Sequence, residues 1–127
     1  MRECVEAEMR MTTHKDLDIW KMGLDLVEKV YRITEKYPKD EQFGLTSQLR
    51  RAAVSVPWNI VEGAARSSKR EYLQYLYISL GSLAEAETQL IIAHRLKYLN
   101  DEDVMENIEH IRRKLLNVIK YIKGKTA

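Results

Sequence analysis

A proline stands inside the strongest helical period of this sequence, and a chain that keeps helical spacing on both sides of a proline has few folds open to it. Leu45, Leu49, Ala52, Val56, Ile60 and Gly63 recur at steps of three and four, the spacing that gathers apolar side chains on one face of a helix. Pro57 falls within that period. It has no N–H and its ring crowds the carbonyl four residues back, so a bent helix is expected here. The carbonyl of Ala53 then needs another partner, and serine and asparagine side chains are at hand. Beside the apolar face a polar line repeats the same spacing: Gln48, Arg51, Ser55, Asn59, Glu62 and Arg66. Two readings of Gln48, Ser55, Asn59 and Glu62 stand. They form a site, or they tie the bent helix to its neighbours, as most buried polar groups do.

Three further helical periods flank this one. In the first helix Leu17, Trp20, Leu24, Val27 and Tyr31 form a stripe that Ile19, Leu26, Val30 and Ile33 widen, with Asp16 or Asp18 as its N-cap. Tyr37 and Pro38 end it, because the residue before proline avoids helical geometry. The second helix opens near Phe43 or Gly44 and stops around Ala65 or Arg66. Ser68 and Glu71 then read as a capping box for a third helix, whose seam is Tyr72, Leu76, Ser79, Leu83, Ala86, Leu90 and Ala93. Residues 99–103 cap a fourth, with the seam Val104, Ile108, Ile111, Leu115, Val118 and Ile122. Short connections imply antiparallel neighbours. Five glycines and two prolines in 127 residues leave little material for turns and favour long helices. The expected fold is therefore all-α: an antiparallel up-down four-helix bundle with a proline-bent second helix, spanning residues 14–123. Residues 1–13 read as a mobile N-terminal tail and 124–127 as a short C-terminal tail, with Met1 and Met11 both open as starts.

Catalytic and metal chemistry find little support in the pattern. Bundles that hold two metal ions use glutamate three residues before histidine, but Ile91 precedes His94 and Asn107 precedes His110 at that offset. Glu106 and His110, one turn apart, read as a surface contact. Glu85 and Glu87 are two apart and point in different directions on a helix, so at most one faces inward, accepting hydrogen bonds or paired with an arginine such as Arg51. Phosphate-binding glycine loops, nucleophile elbows and cysteine pairs are missing from the sequence. No enzyme, metal, cofactor or small-molecule substrate is expected. The lone Cys4 suits a reducing cytoplasm. Glu3, Glu6 and Glu8 interrupt any signal-peptide core, and the longest uncharged run, 72–84, is short of the ~20 residues that cross a bilayer.

Charge is more informative in its distribution than in its total of +2. Arg50, Arg51, Arg66, Lys69 and Arg70 gather on the second helix and its exit. Residues 110–127 carry Arg112, Arg113, Lys114, Lys120, Lys123 and Lys125 with no acid, after five acids in residues 101–109. The helix macrodipole accounts for part of this polarity, and the rest suits nucleic-acid phosphates. Leu116, Ile119 and Tyr121 lie off the fourth helix's seam, as a subunit interface or as a wider internal face.

Together with Asp16-Leu17-Asp18-Ile19-Trp20-Lys21, Tyr37-Pro38, Phe43-Gly44-Leu45 and the run YLQYLYISLGSLAEAET at 72–88, the segment 48–66 resembles the 23S rRNA intervening-sequence protein family. The resemblance covers roughly residues 14–121. It implies a small bacterial four-helix bundle. More distantly the chain is similar to the accessory protein of diversity-generating retroelements, a basic pentamer that binds nucleic acid, which implies a homo-oligomer here. The family has no established catalytic residues to carry over. Two functions follow as expectations: an oligomeric, non-catalytic protein associated with RNA or DNA through backbone phosphates, or a structural oligomer or adaptor with no nucleic-acid role.

Overall fold

A computed structural model describes residues 14–98 and 102–124. Among these the protein is all helical: α1 (His14–Thr34), a 3₁₀ turn (Lys39–Glu41), α2 (Leu45–Ala64), α3 (Lys69–Arg95) and α4 (Glu102–Gly124), with no strand. Helix α1 packs on α2 and α4, and α3 packs on the same two, with the α2–α3 contact the most extensive. The tail expected at residues 1–13 lies outside the described residues, as do residues 99–101 of the expected 99–103 cap, residues 125–127 of the expected 124–127 tail, Cys4 and Lys125, while Gly124 is the last residue of α4. None of the described helices is long and apolar enough to cross a membrane.

The seams of α3 and α4 are as the spacing predicts. Leu76, Ser79, Leu83, Ala86, Leu90 and Ala93 are buried on α3, with Tyr72 half-buried above them. Val104, Ile108, Ile111, Leu115, Val118 and Ile122 are buried on α4. Ser68 caps α3 by accepting a hydrogen bond from the Glu71 N–H at 3.0 Å. Gly44 precedes α2 with no side chain to offer, and the Glu41 carboxylate takes that role, accepting from the Leu45 N–H at 3.2 Å.

Helix α1 is rotated from the expected stripe. Trp20 of that stripe is buried and Leu17, Val27 and Ile33 pack against the core, but the buried line centres on Asp16, Ile19, Gly23, Leu26, Val30 and Thr34, while Leu24 and Tyr31 are exposed. The cause is Gly23, which an apolar count passes over. A Cβ on Gly23 would lie 3.1 Å from the Pro57 Cβ and 3.2 Å from its Cδ, so this face of α1 must be the one against the proline ring. Asp16 is also not a cap: the helix begins two residues before it, and its side chain is buried.

Helix α3 ends in a turn that normally selects glycine. The Tyr98 N–H reaches the Ala93 carbonyl at 2.9 Å and the Lys97 N–H reaches that of His94 at 3.0 Å. Lys97 sits at φ 65° between them, the left-handed position of a Schellman motif. Tyr98 is thereby turned back on Tyr37, ring centroids 5.7 Å apart, and donates to Glu41 at 3.2 Å.

Candidate nucleic-acid interface

The polar line on α2 divides into parts. Gln48 and Arg51 are exposed, while Ser55, Asn59 and Glu62 are half-buried. The Asn59 amide donates to both the carbonyl and the hydroxyl of Ser55 at 2.8 Å, and that hydroxyl shares a 2.7 Å hydrogen bond with Ser82 on α3. Ser79, fully buried, donates to the Val56 carbonyl at 2.8 Å. The side chains around Pro57 thus bond the carbonyls of Ser55 and Val56, not that of Ala53 as the sequence suggests. These groups satisfy one another across the α2–α3 contact. Glu62 takes no part in the cluster and lies 3.7 Å from Arg66.

Several cations assigned to phosphate are occupied within the chain. Arg50 donates to the Thr34 hydroxyl at 2.8 Å and lies 4.4 Å over the Tyr31 ring, closing the end of α1. Arg112 holds Glu87 at 2.6 Å and also contacts Glu109. The hydrogen-bonded Glu87 carboxylate raises the Arg112 pKa above its ordinary value. So the half-buried partner of the inward glutamate is Arg112, not Arg51. Lys114 reaches Asp18 at 3.3 Å. The fourth helix is therefore not uncompensated, because acids from α1 and α3 and from its own preceding turn answer part of its charge.

What remains gathers where the start of α1, the end of α2, the start of α3 and the end of α4 make contact. Lys15 lies 4.1 Å over the Tyr121 ring, Lys123 lies 5.1 Å over Tyr77, and Arg66 lies 4.9 Å over Tyr75 while donating to its hydroxyl at 2.7 Å. The Tyr72 phenol lies beside the Asp16 carboxylate, and burial first, then that negative charge, pushes its pKa up. Arg70, Arg113 and Lys120 are exposed and make no ion pair among the described residues, and neither does the half-buried Lys69. Arg51 is likewise exposed and unpaired, beside a hollow lined by Tyr31, Phe43 and Arg50.

Leu116 and Tyr121 are exposed, as an interface on α4 requires, but Ile119 is 4% exposed and belongs to the core. Four residues after Leu115 and three before Ile122, it shares their face. The most exposed large apolar side chains among the described residues are Phe43 at 90% and Trp58 at 62%, ahead of Ile78 and Leu96. No group of three or more potential metal ligands occurs among the described residues.

Fold and surface together define a small all-helical protein with a basic, tyrosine-lined end. The family model described as 23S rRNA-intervening sequence protein matches residues 15–120, and the chain belongs to that family. Among solved structures it is similar to a protein of unknown function from the S23 ribosomal protein family of Bacteroides thetaiotaomicron. The TM-score is 0.76 at 22% identity, over 84% of this chain and 98% of that one, a likeness of fold. No curated protein matches the chain.

Proposed function

We propose that this is a cytoplasmic, non-catalytic, self-associating four-helix-bundle protein that holds RNA through backbone phosphates. The observation that carries the reading is the end where Lys15, Arg66 and Lys123 lie over tyrosines while Lys69, Arg70 and Lys120 stay unpaired. Arg50, Arg112 and Lys114 are engaged by Thr34, Glu87 and Asp18, as Arg66 is by Glu62 and Tyr75.

An up-down antiparallel order accounts for that gathering of ends. It is supported by contacts that descend along α2 as they rise along α3: Gly63 against Tyr72 and Tyr75, Val56 with Ser79, Ser55 with Ser82. We further propose that α2 bends at Pro57, where one backbone donor is missing. The second reading, a structural oligomer or adaptor, is favoured by the exposed Phe43 and Trp58, residue types that anchor protein contacts.

Salt-dependent binding to structured RNA and duplex DNA separates the two. Phosphate contact predicts affinity that falls steeply with salt, by a slope of about 0.7 to 0.9 per contact. Neutralising Lys120, Lys123 and Lys125 should weaken binding to every RNA alike and flatten the slope, while Arg112→Gln should leave the slope unchanged. Wild-type protein that binds neither nucleic acid at low salt fails the RNA reading and leaves the adaptor. Light scattering on the same samples tests self-association, and a monomer at micromolar concentration removes it.

A further inference from the structure

The basic end contains more than charge. Lys15 on α1 covers Tyr121 on α4, and Lys123 on α4 covers Tyr77 on α3. Lys120 is exposed on α4 one residue before Tyr121 and three before Lys123. One strip therefore crosses three helices as cation, ring, cation, cation, ring. The rings are solvent-facing, with Tyr121 38% and Tyr77 44% exposed.

Lysines alone suffice to hold the phosphates of a duplex, and flat rings add nothing there because paired bases keep their faces inside the stack. Unpaired nucleotides offer both a phosphate and a free base face. A lysine resting on an exposed ring is a weak contact, and base stacking on the same ring is the stronger one. When a base takes the ring, the displaced ammonium is left beside the phosphate of that nucleotide.

We infer that this strip is a stacking site for unpaired nucleotides, with Tyr121 and Tyr77 taking bases and Lys15, Lys120 and Lys123 taking the flanking phosphates. The inference rests on the RNA reading above and names its ligand class as single strand, loop or bulge.

The probe is a short single-stranded RNA carrying one 2-aminopurine, compared with the same strand annealed to its complement. Each is titrated with full-length protein as wild type, Tyr77→Leu/Tyr121→Leu and Tyr77→Phe/Tyr121→Phe. The single strand should bind more tightly than the duplex and its fluorescence should be quenched. The leucine variant should lose roughly five- to a hundred-fold per ring on the single strand with its salt slope intact, and the phenylalanine variant should bind as wild type does. Equal affinity for both forms, or a leucine variant with wild-type affinity for the single strand, overturns the stacking site and leaves the phosphate reading standing. Wild-type protein that binds neither form at low salt overturns both. If the leucine variant fails to fold by circular dichroism, the wild-type preference and quenching decide alone.

Discussion

Gly63 and Gly81 lie in neighbouring helices, and alanine at each should move stability in opposite directions. Neither glycine has a positive φ, so backbone freedom is not why either is there. In a helix interior alanine is favoured over glycine by about 0.5–1 kcal/mol. Gly81 has nothing within 4 Å of an added Cβ, so Gly81→Ala should gain that amount outright. At Gly63 the same atom would sit 2.7 Å from the Tyr75 Cβ, 2.8 Å from the Tyr72 Cδ1 and 3.2 Å from the Tyr72 carbonyl oxygen. Ordinary carbon contact begins near ~3.5 Å, and neither a Cβ nor a backbone carbonyl can swing away. Helix α3 must retreat by about 0.8 Å there, an overpacking strain of roughly 1–3 kcal/mol. After the propensity gain, Gly63→Ala should lose about 0–2.5 kcal/mol net, near 1 at the middle of the range. For a chain this size each kcal/mol moves Tm by about 3–5 °C, so the two variants should melt on opposite sides of the wild type. Thermal circular dichroism with urea midpoints at matched protein concentration checks this, the matching being needed because assembly shifts Tm. A Gly63→Ala protein as stable as Gly81→Ala would refute the close-approach argument.

Two further outcomes follow from buried groups. Pro57→Ala returns an N–H to the Ala53 carbonyl and removes the ring clash, so a crystal structure of the variant should show a straighter α2; a bend unchanged from wild type excludes the proline as its cause. Tyr37 has a buried hydroxyl with no hydrogen-bond partner among the described residues, and burial pushes its pKa from 10.0 up to about 12. The unfolded chain therefore loses this proton first, so the contribution is whole below pH 10 and is lost as pH rises toward about 12. Tyrosinate absorbance followed with helicity should show ionisation lagging until unfolding, and Tyr37→Phe should narrow that alkaline loss; ionisation of Tyr37 near pH 10 in the folded protein would contradict it.

How far the sequence could be read depended on what each residue answers to. The seams of α3 and α4 answer to spacing alone, and every seam position from Leu76 to Ala93 and from Val104 to Ile122 is buried as spacing predicts, with Tyr72 half-buried. Helix α1 carries apolar residues around much of its circumference, so spacing left its rotation open, and the deciding residue was Gly23 against Pro57. The pair of Glu87 was legible as an arginine but not as Arg112, because which helix lies alongside is a tertiary fact. Lys15 and Tyr77 escaped for the same reason, each acquiring its partner from another helix, and Tyr75 acquires Arg66 from the α2–α3 connection. The only local trace was the YLQYLY run of 72–77, separated from Lys69 and Arg70 by Glu71 alone.

The macrodipole then sorts the cations of the basic end in a way that residue counts could not. Arg66 follows the end of α2 and Lys123 lies in the last turn of α4, positions where a positive charge offsets the carbonyl ends and stabilises the helix. Lys15, Lys69 and Arg70 lie instead in the first turns of α1 and α3, where the N–H ends already carry positive charge. Each costs about 0.3–1 kcal/mol there at low ionic strength. Asp16 and Glu71 offset part of this, but Asp16 is buried inside the protein and does not screen the surface. Helix stability therefore explains the first pair of cations and argues against the other three. On the phosphate reading proposed above, a bound anion would offset that cost, because helix-start N–H groups and the cations beside them both attract negative charge. On this ground the first turns of α1 and α3, more than the basic tail of α4, give the phosphate reading its physical weight.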